Sequence, residues 1–181
     1  YVDLPLQHID RTVLQRMNRP ADPEQTRKLI SDLRQNIPNL TLRTSFIVGY
    51  PGESEEAFNR LLAFLEEIRF DRVGAFTYST EQGTKAAELP ELIPEDIKIE
   101  RYNRLMECQQ QISLERNREW IGKTLDVLVE GFTVCQGVNN NKVVNVEAYG
   151  RSKREAPEID GLVYIQNPLS AKLSAGDIVK I

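Results

Sequence analysis

The sequence has few of the residues that carry disulfide, redox or metal chemistry in proteins. Its 181 residues include two cysteines and one histidine. Cys108 and Cys135 lie far apart in unlike surroundings, which argues against a disulfide scaffold and suits a reducing cytoplasm. No apolar run approaches the roughly 20 residues that a membrane-spanning helix needs. The formal net charge of −4 provides no long-range positive field that would attract nucleic acid.

The first two thirds of the chain alternate between strand-like and helix-like apolar patterns. Val2, Leu4 and Leu6 recur with a period of two, which is typical of a strand with one apolar face. A second strand is predicted over 41–48, and a long helix runs from Pro94 to about Trp120. This order predicts parallel βαβ units, the fold class α/β. Because three strands leave both sheet edges bare, we expect the sheet to continue elsewhere in a longer protein, as a partial (βα) barrel.

The pattern changes at Gly122, beyond which short β-rich runs such as "TLDVLVEGF" and "KVVNVEAYG" are separated by turn clusters such as "GVNNNK". This spacing predicts a small antiparallel barrel of the OB-like kind. Residues 124–181 carry six basic and seven acidic side chains, so this domain is not a basic module. Its aromatic residues fall in strand patterns and are expected in the core: Phe132, Tyr149 and Tyr164.

The stretch "RTSFIVGYPGESEE", residues 43–56, joins a buried strand to a helix through a glycine-bent loop. Ser54 is the predicted helix N-cap, with two acids in the first turn. In α/β folds ligands bind at such places, because loop and first-turn N–H groups are unpaired and point outward. Gly49 and Gly52 could equally serve only to make a tight turn, and the fourteen residues alone leave both interpretations open.

Several segments, taken in order, resemble the radical SAM methylthiotransferases: "YVDLPLQH", "RMNRP", "LRTSFIVGYPGESEEAF", "DRVGAFTYSTEQGT", "RYNRLMECQQQIS" and "GRSKREAPEIDGLVYI". The resemblance covers nearly the whole chain. It implies the later part of a radical SAM partial barrel over 1–122, followed by a TRAM domain over 123–181. "DLPLQH" and "EAPEID" resemble the branch that modifies an aspartate of small-subunit ribosomal protein twelve, rather than the tRNA-modifying branch.

The resemblance also implies cofactors and partners. Such enzymes use S-adenosylmethionine and two 4Fe–4S clusters, one of them held on a CxxxCxxC loop, and this sequence contains no CxxxCxxC. We therefore expect the cluster ligands to precede Tyr1 in a longer protein, and this part alone to be inactive. The implied partners are the ribosomal protein and the ribosome. A tRNA substrate, or a non-catalytic module that binds RNA or the ribosome, remains an alternative.

The candidate cofactor-binding residues lie where the three strands end, because barrel active sites collect at the carboxyl ends of the strands. Arg43 and Ile47 share a strand face, so Ile47 could contact an adenine ring while Arg43 binds a carboxylate. The resemblance implies a G-x-I-x-G-x-x-E-like strand, from which this sequence departs at Ser45 and at Glu53, one place late. The candidates are Gln7, His8, Arg43, Ile47, Gly49, Gly52, Tyr78 and Ser79.

Other candidates concern the substrate. Arg19, at the end of a short helix, could reach it, although contacts with helix-end carbonyls would also explain this residue. Most ribosomal proteins are basic, so the acids of the terminal domain could attract one: Glu155, Glu158 and Asp160. Asp3 could bind ribose hydroxyls, but a salt bridge with a barrel arginine is the favoured interpretation.

Overall fold

The computed structural model describes the backbone of residues 1–136, 144–166 and 173–181, and the side chains of residues 1–133, 147–166 and 173–181. It divides into two compact units, one of residues 2–120 and one of residues 121–181 together with Tyr1. Among the described residues, no helix is long and apolar enough to cross a membrane.

The first unit alternates strands and helices as the sequence predicts. Its elements are β1 (Val2–Gln7), α1 (Arg11–Arg16), α2 (Pro23–Asn36), β2 (Leu42–Val48), α3 (Glu55–Ile68), β3 (Arg72–Thr77), a 3₁₀ turn (Lys85–Glu88) and α4 (Glu95–Arg118). The three strands form a parallel sheet in the order β1-β2-β3. Val48 pairs with Thr77, so the carboxyl ends of β2 and β3 stop level with each other.

Side-chain caps explain where the helices of this unit begin. The Asp22 carboxylate accepts hydrogen bonds from the N–H groups of Glu24 and Gln25, and Pro23 occupies the first turn of α2. The Ser54 hydroxyl oxygen accepts a hydrogen bond from the Ala57 N–H at 3.2 Å. Both caps satisfy N–H groups that the first helical turn leaves without partners, and the predicted cap at Ser54 is confirmed.

The core of the first unit lies between one sheet face and the helices. Phe46 of β2 is fully buried against Phe58 and Leu61 of α3 and Leu105 of α4. Strand residues alternate between faces. The neighbours of Phe46 in β2, and the residues that alternate with Val73 and Ala75 in β3, therefore lie on the opposite face of the sheet. We call that face the inner face, defined by Arg43, Ser45, Ile47, Gly74 and Phe76.

The terminal unit is an antiparallel sheet in the order β6-β5-β4-β7. Its strands are β4 (Asp126–Gln136), β5 (Val144–Ser152), β6 (Val163–Ile165) and β7 (Ile178–Lys180). Its core contains Val127, Val129, Ala148 and Ile165. The predicted turn "GVNNNK" and the side chain of Cys135 lie outside the described residues.

The prediction that the aromatic residues of the terminal unit form its core is wrong. Tyr164 is 58% exposed and Phe132 is 42% exposed, and Tyr149 is half-buried. The register pairs Tyr149 with Tyr164, so both lie on the same side of the sheet. The adjacent pair, Ala148 and Ile165, supplies the buried side.

Candidate functional site

An apolar pair lies on the inner face, near the carboxyl ends of β2 and β3. The register pairs Ile47 with Phe76, and the preceding inner-face pair is Ser45 with Gly74. Paired residues of neighbouring strands project to the same face, so Ile47 and Phe76 lie side by side. Ile47 is half-buried, whereas Phe76 is 57% exposed. Together they form a platform that a flat apolar ring could contact.

Phe76 was missed by the sequence analysis, although a signal for it existed. The run "RVGAFT" alternates, and Val73 and Ala75 pack against the helix-side core. Gly74 and Phe76 must then project to the other face. The same alternation identified Ile47 on β2.

Arg43 lies on the inner face but is engaged by a neighbour. Its Nη1 donates to the Asp3 carboxylate at 2.6 Å, which confirms the salt bridge expected for Asp3. Arg43 precedes Ile47 by four positions along β2, about 13 Å at a strand rise near 3.3 Å per residue. Its long side chain nevertheless extends toward the platform, because a Cβ built on Gly74 would lie 3.2 Å from Arg43 Nη2 and 3.7 Å from Phe76 Cε2.

The loop between β2 and α3 is held by its own hydrogen bonds. The Gly49 N–H donates to the Glu53 carboxylate at 2.9 Å. The Gly52 N–H donates to the Glu91 carbonyl oxygen at 3.0 Å, and the Glu53 N–H donates to that of Tyr50 at 2.9 Å. The expectation that this loop presents unpaired N–H groups is therefore wrong at these three positions.

Both loop glycines are required by backbone geometry and packing. Gly49 has φ +73° and Gly52 has φ +78°, values that residues with a Cβ rarely adopt. A Cβ on Gly49 would lie 2.3 Å from Lys98 Cγ of α4, and one on Gly52 would lie 1.5 Å from Arg16 Nη1. The tight-turn interpretation explains both glycines in this structure.

Glu53 joins this loop to α4. Its side chain is completely buried, and its Oε1 accepts a hydrogen bond from Arg101 Nη1 at 2.8 Å. Arg101 Nη1 also donates to the Glu53 carbonyl oxygen at 2.9 Å. Glu53, which lies one place later than the family pattern implies, therefore accepts a hydrogen bond from the Gly49 N–H and pairs with the buried Arg101.

The ring of His8 is enclosed beneath the strand ends and is 1% exposed. Its Nδ1 accepts a hydrogen bond from the Asp10 N–H at 2.9 Å, so a neutral ring carries its proton on Nε2. His8 Nε2 lies 3.6 Å from Glu53 Oε2 and has no hydrogen-bond partner among the described residues. This geometry favours a positioning role, through Glu53, over direct contact with a bound molecule.

Asp10, the N-cap of α1, is next to His8 in this arrangement. Its carboxylate accepts hydrogen bonds from the N–H groups of Thr12 and Val13 and from Arg60 Nε at 2.9 Å. Burial raises the pKa of Asp10, but the bonds from Arg60 and Val13 and the nearby positive charge together hold that pKa below its ordinary value. The ionised carboxylate therefore stabilises the folded chain.

Because the folded-state pKa of Asp10 lies below the unfolded one, its contribution to stability is present above the ordinary value of 3.8 and is lost as the pH falls through the lower folded value. Asp10→Asn keeps a capping oxygen but removes the charge. We expect the wild-type chain to be more stable than this variant at pH 7, with the difference shrinking below about pH 4. Urea unfolding between pH 7 and pH 3 measures it, and a difference that does not change with pH would contradict this assignment.

The remaining cofactor candidates differ in accessibility. Gln7 ends β1 with φ +69° and is half-buried. Tyr78 is buried, packs edge-to-face on Tyr50 at 5.1 Å between ring centroids, and its carbonyl oxygen accepts from Lys98 Nζ at 2.9 Å. Ser79 is exposed, and its hydroxyl lies 3.1 Å from a Glu81 carboxylate oxygen. Of these residues, Ser79 is the most exposed.

Three of the four substrate candidates have local contacts. Arg19 is exposed, and its Nη1 donates to the Pro5 carbonyl oxygen at 3.4 Å. The Glu155 carboxylate accepts hydrogen bonds from the N–H and hydroxyl of Ser152, and the Asp160 carboxylate accepts from the Ala156 N–H. These two acids hold turns. Glu158 is exposed, with φ +64°, and is the acid of this set most open to a partner.

Nothing resembling a metal site is found in the part of the chain that the structure describes: no group of three or more His, Cys, Asp or Glu residues is arranged to hold an ion. Burial raises the pKa of the half-buried Cys108 thiol, and the Glu66 carboxylate raises it further. A raised pKa keeps a thiol protonated and unreactive, and Cys108 packs against the core of the first unit.

Comparisons with known proteins match two separate parts of the chain. Residues 1–65 match the model of the Radical SAM superfamily, and residues 121–181 match that of the TRAM domain. The solved structure of HemN from Escherichia coli, described as a coproporphyrinogen III oxidase and a radical SAM enzyme, aligns with a TM-score of 0.53 and 20% identity. It covers 61% of this chain and 26% of that one, and at this identity the likeness concerns the fold alone.

A radical SAM region and a TRAM domain are therefore present in the chain, which confirms the predicted fold class. Within that class it is similar to proteins named ribosomal protein uS12 methylthiotransferase RimO, which confirms the resemblance seen in the sequence. The protein from Heliobacterium modesticaldum is 56% identical over 89% of this chain and 33% of its own length. The one from Syntrophotalea carbinolica is 50% identical over 100% of this chain and 37% of its own. The chain thus spans about a third of the length of these curated relatives.

Proposed function

We propose that this chain is the later part of a cytoplasmic RimO-type enzyme, which attaches a methylthio group to an aspartate of ribosomal protein uS12. The observation that carries the proposal is the platform of Ile47 and Phe76, at the level carboxyl ends of two parallel strands. Similarity to RimO proteins at 50–56% identity, as in the two relatives described above, supports the choice of substrate. These relatives do not favour the tRNA-modifying alternative.

The residues of the inner face fit S-adenosylmethionine. An adenine ring needs a flat apolar contact of limited size, and the exposed Phe76 beside the half-buried Ile47 provides one. When bound, S-adenosylmethionine and a 4Fe–4S cluster supply the one-electron chemistry that removes a hydrogen atom from the substrate carbon. In this proposal the ligands of both clusters belong to the part of the protein that precedes Tyr1.

The chain's own residues position the cofactor and do not transfer protons. Hydrogen-atom abstraction by a radical requires no base, so no general-base role is assigned to His8. Glu53 and Arg101 fix the position of the loop that borders the platform, because both side chains are buried and are bonded to each other. Rigid support of this kind keeps a bound cofactor in one orientation.

The substrate side of the proposal rests on charge. Residues 124–181 carry a slight acidic excess, which suits a basic protein partner better than RNA. Glu158 is the acid proposed to contact uS12, free or within the ribosome, and binding to tRNA is the competing outcome.

The test uses the full-length protein, purified without oxygen and supplied with S-adenosylmethionine, a reductant and a sulfur source. Mass spectrometry of uS12 should find one methylthio group on an aspartate. A tRNA sample treated in the same way is the control. Modification of the tRNA with none of uS12 would support the tRNA-modifying alternative and reject this proposal.

Phe76→Ala tests the platform itself. Loss of the ring should weaken binding of S-adenosylmethionine to the full-length enzyme by roughly tenfold, since an aromatic contact is worth about 1 kcal/mol beyond its buried area. Equilibrium binding in the presence of the intact cluster measures this change. Tyr164→Ala removes an equally exposed aromatic ring from the terminal unit and should leave cofactor binding unchanged. Equal affinities of wild type and Phe76→Ala would exclude the platform as the adenine site.

A further inference from the structure

The outer edge of β3 has backbone groups that point away from the sheet. β3 is the last strand of the sheet, so no strand among the described residues pairs with this edge. Because the strands lie in chain order, we place the expected continuation of the sheet at the β1 edge. The Tyr78 N–H donates to the Val48 carbonyl oxygen at 2.9 Å. Successive N–H groups of a strand point to opposite sides, so those of Ala75 and Thr77 point to the outer edge. An unpaired edge of this kind is a template for a further strand.

An apolar groove lies directly beside this edge. A shallow cavity of about 480 Å³ is lined by Ala75, Phe76, Thr77, Ile99, Tyr102 and Asn103. Ile99 of α4 is 50% exposed. A strand laid along β3 would cover Ile99, and burial of an aliphatic side chain is favourable by roughly 1.5–3 kcal/mol. The groove therefore offers both main-chain pairing and an apolar pocket.

Acidic side chains flank this groove along α4. Asp96 and Glu107 are exposed, and helical spacing of three and four residues brings Asp96, Ile99, Asn103 and Glu107 onto one side of the helix. Among the described residues, neither carboxylate belongs to a salt bridge, whereas the neighbouring Glu95 and Glu100 do. A basic segment would therefore be favoured in the groove.

We infer that an extended, basic segment of the protein substrate adds as a strand to the outer edge of β3 and places an apolar side chain over Ile99. This inference rests on the proposed function, because uS12 is the partner to which it commits. β3 ends level with β2, where Ile47 and Phe76 lie, so a segment paired along β3 is guided to the platform. Pairing of main chains along a strand edge, with pockets for alternate side chains, is a general mode of peptide recognition.

The test compares surface variants of the full-length enzyme in binding labelled uS12. Ile99→Lys replaces the apolar contact with a positive charge and should weaken the affinity roughly tenfold. Leu29→Lys on α2 is the matched control, since Leu29 is an equally exposed aliphatic residue at 47%, and its affinity should stay within about twofold of wild type. Binding of S-adenosylmethionine without uS12 is measured in all three proteins, because Phe76 of the platform lines the same groove as Ile99. A loss of cofactor binding in Ile99→Lys as large as its loss of uS12 binding would contradict the docking site.

Hydrogen exchange provides the second readout. Residues 72–77 should exchange more slowly when uS12 is bound, with the protection at the amides of Ala75 and Thr77. If wild type modifies uS12, yet Ile99→Lys binds normally and residues 72–77 gain no protection, the docking site is wrong and the proposed function stands. If wild type neither binds nor modifies uS12, the proposed function is wrong and the docking site falls with it.

Discussion

Glu53→Gln should be among the most damaging single changes in the first unit, lowering the free energy of unfolding by about 3–5 kcal/mol. The substitution keeps the shape of the side chain but removes the charge that pairs with Arg101, whose side chain is 6% exposed. It also places an amide where the Gly49 N–H and Arg101 both need an acceptor. Breaking a buried pair from one side leaves the other charge poorly compensated, since Arg101 would keep only the longer contact of its Nη2 with Glu55, at 3.4 Å.

Urea unfolding of the 181-residue chain, followed by circular dichroism, measures the change. Glu107→Gln is the matched control, because Glu107 is exposed on α4 and has no salt bridge among the described residues. It should alter stability by less than about 0.5 kcal/mol. If Glu53→Gln lost no more stability than Glu107→Gln, the carboxylate would not be holding the loop to α4.

Local signals in the sequence were sufficient to predict most of the first unit. The period-two runs and the cap residues Asp22 and Ser54 act over a few residues, so they can be read without knowledge of the fold. The pair of Asp3 and Arg43 could also be predicted, because parallel strands of similar length bring one charge of each sign to the same face. The inner face and its Ile47 follow from the same alternation.

Contacts between distant elements could not be predicted in this way. Glu53 and Arg101 are 48 residues apart, and only the packing of α4 against the loop brings them together. The same packing places Lys98 over Gly49. The loop N–H groups that were expected to be free form hydrogen bonds within the protein instead, as the Gly49 N–H does with the Glu53 carboxylate. A sequence shows that a loop is rich in glycine, but not which helix lies above it.

The terminal unit shows a different limit. Alternation predicts that strand residues divide between two faces, but it does not say which face is buried. The register of β4 against β5 shifts between Val129 and Gly131, which changes the face that later residues of β4 present. Tyr149 of β5 and Tyr164 of β6 are paired on the side opposite the buried Ala148 and Ile165, although both lie in apolar runs.

Gly49→Ala should destabilise the chain by about 2–5 kcal/mol, which combines the cost of φ +73° for a residue with a Cβ and the cost of overpacking against Lys98. Lys98 cannot move aside freely, because its Nζ donates to the Tyr78 carbonyl oxygen at 2.9 Å and to Glu95 at 3.1 Å. The same urea experiment measures the loss.

Gly83→Ala separates these two costs. Gly83 also has a positive φ, +85°, but a Cβ there would meet nothing within 4 Å. The free energy of unfolding of Gly83→Ala should fall by about 1–2 kcal/mol, from backbone strain alone. The excess loss in Gly49→Ala then reports the contact with α4. Equal losses in the two variants would mean that Lys98 does not pack over the loop, and the support that Glu53 and α4 give to the platform would have to be reconsidered.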